Sequence, residues 1–561
     1  MQSAKRIASF IVFIHCVLAT SQVDTKTINA LFYEYSIPNT PGAVVTVVKN
    51  GELIFSHGFG NANLEYNIPF TPQTPFNIAS LTKQFVCFGL LLLQNEEKLT
   101  LEDDVRTFIP ELHDFGNVIT LRHLMSHTSG LNDQWHLLSL AGWKLDDVIT
   151  HQMVLEFLYK QRTLGFLPGE RYSYSNSSYT LLSEVIARVS GMKLPEFLKK
   201  YIFEPLGMNN SRVQDNYRGV IKNRAYSYQK TNRGYVKSIF STDTYGPGGI
   251  ITTGEDIAKW MINFYDTKLG SRELIQLLDN QQTLNDGTKF GGALGQFHST
   301  HMNRKIIQHT GSEAGYRSYL VRIPEEKLSI CVFSNRNNAD TKRLALQTAD
   351  IFLKSDKKPL IPEEKEISKP FTPVKLTNRK LKSFEGKYWD FEKDYSRTIK
   401  LKNDTLRYII HENRQFPLVP ISKQKFVMYG IKDYYEIDFN SNNAISKMEI
   451  LPEKGRGSIL EKYEDISYTE NQLQSFKGLY FSEELNTFIM LSVKEGKLIL
   501  SHQRQEDTEL HPVLKDFFVS NTWYIKSVRF IRKKETISGL LVSSNRMKNV
   551  KFTKTNGVFS N

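Results

Sequence analysis

Hydrophobic and polar positions divide the chain into two regions with different periodicities. From residue 24 to about 354, strand-like alternation is mixed with helical spacing. The helical patterns in this region lie at 80–96, 119–127, 179–190 and 255–265, followed by an amphipathic helix from Lys342 to Leu353. Beyond residue 377 helical spacing disappears, and short alternating strands follow one another. The pattern therefore predicts an α+β region followed by an all-β region.

Two stretches of the first region predict its main strands. The stretch GAVVTVVKNGELIFSHGFG (42–60) has two β-rich runs about Asn50-Gly51, a dipeptide typical of tight hairpin turns. The stretch KIIQHTGSEAGYRSYLVRIPEEKLSICVFSN (305–335) predicts three antiparallel strands, with Pro324 to Lys327 as the second turn. We therefore predict an antiparallel sheet flanked by helices, together with an all-helical subdomain, within residues 22–354.

The second region begins after a linker. Residues 355–376 are rich in proline and charged residues and show no periodicity, which is typical of a linker. Beyond the linker, two segments of similar length, 377–466 and 467–561, each carry only strand-like patterns. An open sheet of short strands leaves unpaired N–H and C=O groups at its edges, and closure into a barrel pairs them. Each segment is therefore predicted to form a small antiparallel β-barrel.

An internal repeat supports this division of the second region. Five positions recur 92 residues later in the chain: Phe384, Gly386, Tyr388, Pro420 and Phe426 recur as Phe476, Gly478, Tyr480, Pro512 and Phe518. A single match would carry no information. Five matches in one register indicate a duplicated β-domain.

The first residues of the chain differ in composition from the rest. Two basic residues precede the apolar stretch Ile7–Leu18, and the small residues 19–21 offer a cleavage site for signal peptidase. The apolar stretch is shorter than the roughly 20 residues that a membrane-spanning helix needs. We therefore predict a signal peptide at 1–21, cleaved before Gln22. The protein is then secreted, or periplasmic in a bacterial source, with no stable membrane insertion after cleavage.

Charge and cysteine content narrow the possible functions only slightly. The net charge is +13, but lysines are scattered among carboxylates and no base-stacking module is present. The densest basic cluster consists of Lys526, Arg529, Arg532, Lys533 and Lys534. It predicts a solvated strand face rather than a nucleic-acid site. Cys87 and Cys331 lie in apolar stretches and are interpreted as two buried thiols, although the sequence leaves a disulfide between them open.

Two histidines offer a possible metal site, which we reject. His123 and His127 are four residues apart on a predicted helix, a spacing that can bind zinc. No glutamate follows His123, so the H-E-x-x-H pattern of zinc hydrolases is absent. A structural role for both side chains is the better interpretation.

The stretch IASLTKQFVCFGLLLL (78–93) places Ser80 and Lys83 at the start of an apolar helix. Residues three apart project from one helix face, so the serine hydroxyl and the lysine amine are neighbours. A serine becomes a nucleophile when a base removes its proton, and a lysine whose pKa is lowered by burial can be that base. The pattern alone is weak, because S-x-x-K also begins at Ser190, Ser227, Ser355 and Ser422.

Two further segments support a chemical role for Ser80. Tyr174 and Asn176 lie in a loop just before a predicted helix, and His309-Thr310-Gly311 lies at the end of a predicted strand. Each has an ordinary alternative: Asn176 can cap the helix, Tyr174 can pack in the core, and the histidine can be incidental. Their occurrence together, in this order, favours a functional site.

The three segments resemble the motifs of a known superfamily. Ser80-Leu81-Thr82-Lys83, Tyr174-Ser175-Asn176 and His309-Thr310-Gly311 are similar to the three motifs of the penicillin-recognising serine hydrolases. The resemblance is to the class C β-lactamase-like branch, which includes D,D-peptidases, D-aminopeptidases and esterases. It covers about residues 30–350, with support from the stretches at 119–131, 168–176 and 246–260.

The resemblance implies a role for each motif residue. Ser80 is expected to attack a carbonyl, Lys83 to take its proton, and Tyr174 to pass a proton to the leaving group. The residues expected to bind substrate or oxyanion are Asn176, His309, Thr310, Gly311 and Ser312, with the backbone N–H groups of Ser80 and Ser312 forming the oxyanion hole. The expected partners are small peptide, amino-acyl or ester substrates. The cycle needs no metal or other cofactor, and no nucleic acid is expected to bind.

One position departs from the β-lactamase pattern. The third motif has His309 where β-lactamases and many D,D-peptidases have lysine, so a permanent positive charge is missing. In this superfamily H-x-G resembles the D-aminopeptidases and some esterases, and D-aminopeptidases also carry two C-terminal β-barrels. We therefore expect peptide or amino-acyl substrates with D-residues. An esterase, a weak β-lactamase and a non-catalytic protein that binds cell wall or carbohydrate stay open as alternatives.

Overall fold

The computed structural model describes residues 24–353 and 371–555, apart from short gaps at 392, 394, 412–413, 432–433, 440–445 and 454–456. The predicted signal peptide at 1–21 and most of the predicted linker lie outside the described residues. Residues 371–376 have no regular secondary structure. No helix in the described part of the chain combines the length and apolarity that crossing a membrane requires.

The first region contains the strands of the main sheet and several short strand pairs. Its strands are β1 (Ala43–Lys49), β2 (Glu52–Phe59), β3 (Asn61–Asn63), β4 (Ile68–Pro69), β5 (Phe76–Asn77), β6 (Arg212–Val213), β7 (Tyr228–Thr231), β8 (Gly234–Lys237), β9 (Ile250–Thr252), β10 (Phe297–His301), β11 (Arg304–Glu313), β12 (Tyr316–Ile323) and β13 (Leu328–Ser334). Six of them form one sheet in the order β10-β11-β12-β13-β1-β2, and all its neighbouring strands are antiparallel. The predicted hairpin and the three predicted C-terminal strands are confirmed.

Helices surround this sheet and build the inserted subdomain. They are α1 (Thr25–Leu31), α2 (Thr82–Asn95), α3 (Val105–Phe108), α4 (Leu121–Met125), α5 (Gln134–Leu140), α6 (His151–Tyr159), α7 (Asn176–Ser190), α8 (Leu194–Leu198), α9 (Glu204–Leu206), α10 (Gly254–Asn263), α11 (Arg272–Asp279) and α12 (Thr341–Leu353). On β1, Val45 and Val47 face a core shared with α1 and α12, whereas Val44 and Val48 face the core of the remaining helices. This alternation is what a strand buried on both faces requires.

Two local predictions about the helices need correction. The helix predicted at 119–127 ends at Met125, and His127 lies beyond it with a left-handed backbone (φ 61°). His123 sits inside the helix and its Nδ1 accepts a hydrogen bond from the Thr120 N–H as part of a capping box. The helix predicted at 179–190 begins earlier, at Asn176, which was predicted to lie in the loop before it. The alternative of an Asn176 cap is also excluded, because the Ser175 side chain caps α7 by accepting from the Ser178 N–H. Cys87 and Cys331 are both buried and unbridged.

The second region forms two closed barrels of eight antiparallel strands each. The strands of the first barrel, which follows α13 (Asn378–Lys382), are β14 (Gly386–Asp390), β15 (Tyr395–Lys402), β16 (Thr405–His411), β17 (Arg414–Pro420), β18 (Lys425–Met428), β19 (Tyr435–Asp438), β20 (Lys447–Pro452) and β21 (Ser458–Tyr463). Those of the second barrel, which follows α14 (Glu470–Leu473), are β22 (Gly478–Ser482), β23 (Thr487–Lys494), β24 (Lys497–Ser501), β25 (Thr508–Leu514), β26 (Phe517–Val519), β27 (Ser527–Lys533), β28 (Thr536–Ser544) and β29 (Met547–Thr555). The predicted fold class is therefore confirmed.

The repeated residues occupy equivalent places in the two barrels. The Tyr388 hydroxyl donates a hydrogen bond to the Phe384 carbonyl over 2.8 Å, and Tyr480 does the same to Phe476 over 2.7 Å. The prolines and phenylalanines of the repeat also match, because Pro420 pairs with Phe426 across two strands just as Pro512 pairs with Phe518. These shared contacts account for four of the five positions, and at the fifth Gly386 and Gly478 have the same positive φ of 148°.

The second barrel docks against the first region. Leu137 and Leu140 of α5 are buried in the same apolar cluster as the core side chains of that barrel. The second barrel also contacts the first, where Phe517 packs against Trp389 with ring centroids 5.3 Å apart. The helix α5 therefore links the second barrel to the part of the chain that carries the candidate site.

Candidate active site

The backbone before Ser80 is bent so that the serine projects into a cavity. Ala79 has a left-handed conformation (φ 49°), and its N–H donates to the Asn77 side chain over 2.8 Å. Ser80 follows in a single 3₁₀ turn, Ala79–Leu81, that runs into α2. A non-glycine residue with positive φ is uncommon and costs backbone energy, so the surrounding bonds hold this bend in place.

Lys83 lies under Ser80 in the first turn of α2 and is fully buried. Its Nζ donates to Ser80 Oγ over 3.2 Å, to Asn176 Oδ1 over 3.1 Å and to the Pro247 carbonyl over 2.6 Å. Burial lowers the pKa of Lys83 to about 7; the Asp133 carboxylate opposes this shift and the Arg546 guanidinium adds to it. A substantial fraction of the amine is therefore uncharged near neutral pH, which a general base requires.

Tyr174 packs on the other side of the Ser80 hydroxyl. Its ring centroid is 4.9 Å from Lys83 Nζ, and its ring stacks on His127 with centroids 4.3 Å apart. Burial raises the pKa of Tyr174, while a hydrogen bond to Ser80 partly opposes the shift. The phenol therefore keeps its proton at neutral pH and is placed to donate it.

A buried carboxylate fixes the second motif. Asp133 Oδ2 accepts hydrogen bonds from the Asn176 N–H over 2.7 Å and from Asn176 Nδ2 over 2.9 Å. The amide oxygen of Asn176 consequently faces Lys83, to which it is hydrogen-bonded. Nothing in the stretch GLNDQW (130–135) marks Asp133 as part of a site, so its role is not predictable from the sequence.

The third motif lies in the last five residues of β11. The strand β10 pairs with β11 only as far as Gln308, so the following residues lie beyond that pairing. At Gly311 a Cβ atom would come within 2.4 Å of the Ile78 carbonyl, and the neighbouring Ser318 hydroxyl donates to the same carbonyl over 2.8 Å. Glycine at this position is therefore what lets β11 approach the turn that carries Ser80.

His309 is neutral in this environment. Its Nδ1 is 2.6 Å from the Thr310 carbonyl, which can only accept, so the proton sits on Nδ1. Burial lowers the pKa of His309 to about 3, and the charge on Lys83 adds to that shift. The buried Nε2 has no hydrogen-bond partner in the described residues. This position therefore offers an acceptor where a lysine would offer a cation.

These groups line a cavity of about 1260 Å³. Ser80, Tyr174, Asn176, His309, Thr310 and Ser312 all contribute to its wall. The second barrel contributes Trp523, Lys526, Asn545 and Arg546 to the same wall. The structure thus brings the three predicted motifs together, and it adds residues from the C-terminal end of the chain that sequence analysis did not connect with the site.

Known proteins are similar to this chain at the level of family and sequence. Residues 29–352 match the family described as Beta-lactamase. A D-aminopeptidase of Gluconobacter oxydans (strain 621H) is 30% identical over 299 residues, which are 53% of this chain and 56% of that protein. Penicillin-binding protein 4* of Bacillus subtilis (strain 168) is 24% identical over 463 residues, which are 77% of this chain and 97% of that protein.

Solved structures share the fold. The octameric penicillin-binding protein homologue from Pyrococcus abyssi superposes with a TM-score of 0.53 at 24% identity, over 78% of this chain and 100% of that one. The D-amino acid amidase from Ochrobactrum anthropi SV3 superposes with a TM-score of 0.52 at 21% identity, over 59% of this chain and 99% of that one. Because the matching family region spans more than half of the chain, this protein belongs to the β-lactamase family of serine hydrolases.

Proposed function

We propose that the protein hydrolyses amide bonds of small peptides or amino-acyl compounds containing D-residues, through an acyl-enzyme on Ser80. The observation that carries the proposal is the 3.2 Å contact between Ser80 Oγ and the buried amine of Lys83, whose pKa is lowered to about 7. A hydroxyl next to an amine that is partly uncharged at neutral pH is an activated nucleophile.

The reaction proceeds in two halves. Lys83 accepts the hydroxyl proton as Ser80 Oγ bonds to the substrate carbonyl carbon, and the resulting oxyanion is held by the backbone N–H groups of Ser80 and Ser312. Tyr174 donates its proton to the departing amine as the carbon–nitrogen bond breaks, and it recovers a proton from Lys83. Water then attacks the acyl-enzyme, releasing the acid and restoring the Ser80 hydroxyl. Asn176, fixed by Asp133, donates from Nδ2 or accepts at Oδ1 beside the acyl-side amide.

The substrate class is supported by two independent observations. The related D-aminopeptidase is 30% identical over 299 residues, although the alignment spans only 56% of its length. The neutral His309 removes the cation that the third motif of a β-lactamase provides, which disfavours efficient β-lactam hydrolysis. Both observations favour amino-acyl and peptide amides over β-lactams.

Covalent labelling combined with a substrate panel tests the proposal. A fluorophosphonate probe is expected to modify Ser80, as read from the labelled peptide by mass spectrometry, and Ser80→Ala is expected to lose both labelling and turnover. The matched control is Ser190→Ala, because Ser190 also begins an S-x-x-K sequence but its hydroxyl donates to the Ile186 carbonyl within α7. Labelling that persists in Ser80→Ala would contradict the assignment.

A substrate panel distinguishes the proposed amidase from an esterase or a β-lactamase of the same fold. Wild-type protein is offered D-alanine and L-alanine p-nitroanilides, p-nitrophenyl butyrate and nitrocefin, with kcat/KM measured for each. The proposal expects the D-anilide to be the best anilide and nitrocefin to be turned over slowly. Preference for the nitrophenyl ester with no anilide turnover would identify an esterase instead. A protein that neither reacts with the probe nor hydrolyses any of these compounds is a binding protein.

We also propose that residues 1–21 direct export of the protein. This part of the chain lies outside the described residues, so the support comes from its basic start, apolar centre and small residues before Gln22. N-terminal sequencing of protein recovered from the medium or periplasm is expected to begin at Gln22. Full-length protein found only inside the cell would contradict export.

A further inference from the structure

The wall of the cavity is completed by a turn of the second barrel. Asn545 and Arg546 connect β28 to β29, and both line the cavity that contains Ser80. The turn lies more than 460 residues after Ser80 in the chain. It therefore reaches the site only because the second barrel docks there.

Hydrogen bonds hold this turn and its flanking residues against α5 and the two residues before it. The Asp133 N–H donates to the Arg546 carbonyl over 2.9 Å. The Lys548 N–H donates to Asn132 Oδ1 over 2.9 Å, and the Ser544 hydroxyl lies 2.8 Å from His136 Nδ1. Because the turn is tied to the same residue that fixes Asn176, its position is coupled to the geometry of the site.

The Arg546 side chain points over the proposed proton donor. Its guanidinium carbon lies 4.7 Å from the centre of the Tyr174 ring, while the residue itself is exposed to the cavity. No carboxylate among the described residues forms an ion pair with it. An arginine with free donors, held over a ring, is suited to bind an anionic group bidentately.

The other charged groups of the cavity do not fulfil this role. Lys83 is buried and donates to three oxygens, and His309 is neutral. Two more lysines line the cavity. Lys237 is paired with Glu65 over 2.8 Å, and among the described residues only Lys83 and Arg546 have a cation over the Tyr174 ring. Three carboxylates line the cavity. Asp133 is bonded to Asn176, and Glu313 accepts from the Asn77 side chain over 2.7 Å. The third, Asp146, is exposed. Arg546 is thus the exposed cation beside the ring of the proposed proton donor.

We propose that Arg546 binds a carboxylate on the leaving group, so that the second barrel selects peptides whose departing amine is an amino acid with a free carboxylate. The inference rests on the proposed function, in which Tyr174 protonates the departing amine. In an α-amino acid the carboxylate is two bonds from that nitrogen, so a guanidinium beside Tyr174 can reach it. Arg546 thereby supplies the positive charge that the third motif lacks at His309.

A matched pair of substrates tests this selection. D-Alanyl-D-alanine and D-alanyl-D-alaninamide have the same scissile bond and differ only in the leaving-group carboxylate. Wild type is expected to prefer the dipeptide in kcat/KM. In Arg546→Gln the ratio of the two kcat/KM values is expected to fall about 10- to 100-fold, the range for a lost hydrogen bond to a charged group. Arg546→Lys is expected to give an intermediate ratio, because an ammonium lacks the bidentate geometry.

Controls separate this inference from the proposed function. Lys551→Gln removes an exposed charge from the same hairpin, away from the cavity, and is expected to keep the wild-type ratio. The rate of Ser80 labelling by the fluorophosphonate reports whether each variant is folded and chemically competent. If Ser80 is labelled but wild type does not prefer the dipeptide, or Arg546→Gln leaves the ratio unchanged, the inference is overturned and the proposed function stands. If Ser80 is not labelled and neither compound is hydrolysed, both fail.

Discussion

Asp133 holds Asn176 by two hydrogen bonds to a single carboxylate oxygen, 2.7 Å from the backbone nitrogen and 2.9 Å from the side-chain nitrogen. The backbone N–H of Asp133 donates in turn to Arg546 in the second barrel. One buried residue therefore connects the second motif, the buried lysine and the barrel turn. Substitutions of Asp133 and of Arg546 are expected to shift the pKa of Lys83 in opposite directions.

In the pH profile of kcat/KM, activity is expected to fall on the acid side as Lys83 becomes protonated. Asp133→Asn is expected to move this acid limb to lower pH. The Asp133 carboxylate favours the charged form of Lys83, against the larger effect of burial. Its removal lowers the pKa of Lys83 further, so the uncharged amine persists to lower pH. The measurement is kcat/KM for D-alanine p-nitroanilide as a function of pH. A limb that stays at the wild-type position, or moves upward, would contradict the coupling.

Arg546→Gln is expected to shift the same limb in the other direction. The guanidinium disfavours the charged form of Lys83, so its loss raises the pKa of the amine. The acid limb then moves to higher pH. Lys551→Gln serves as the control for a general loss of one positive charge from the hairpin, and its profile is expected to match wild type. A purely structural role for Arg546 would lower activity at every pH without moving the limb.

The wild-type profile itself reports on Lys83. Because burial lowers its pKa from 10.5 to about 7, the base is uncharged above this pH and protonated below it. We expect kcat/KM to fall about tenfold for each pH unit below 7 and to be flat just above it. Lys83→Ala is expected to lower kcat/KM by about 10²- to 10⁴-fold. Wild-type rates in this variant would refute the role of the lysine.

Local sequence spacing was sufficient to predict part of the site. Ser80 and Lys83 are three residues apart at the start of one helix, and helical geometry alone places their side chains on one face. The hairpin at Asn50-Gly51 was equally predictable, because both residues adopt the left-handed backbone (φ 54° and 82°) that such turns need. The two barrels were predicted from the internal repeat, and the paired residues of that repeat make the same contacts in both barrels.

Other parts of the site depend on tertiary structure and left no local signal. Asp133 is bonded to Asn176, 43 residues further along the chain, and Arg546 reaches Tyr174 only through docking of the barrel. The dipeptide Asn545-Arg546 carries no local signal that shows which surface the turn contacts. The helix predicted to reach residue 127 ends at Met125, because the backbone becomes left-handed at His127.

Docking of the second barrel is expected to depend on Leu137. This side chain is fully buried in the apolar cluster that it shares with the barrel core, so Leu137→Ala leaves a cavity where the two parts meet. We expect the free energy of unfolding to fall by about 2–5 kcal/mol in urea titrations. Leu167→Ala is the matched control, because Leu167 is 56% exposed and its truncation is expected to change stability by less than about 0.5 kcal/mol.

The same variant tests whether docking positions Arg546. A loosened barrel carries its turn away from Tyr174, so in Leu137→Ala the preference for D-alanyl-D-alanine over its amide is expected to fall, although residue 546 is unchanged. The double variant Leu137→Ala/Arg546→Gln is then expected to show no more loss of preference than Arg546→Gln alone, because both changes remove one interaction. Additive losses of preference would mean that Leu137 acts on the site by another route. Equal unfolding free energies for Leu137→Ala and Leu167→Ala would show that the barrel does not depend on α5 for its packing.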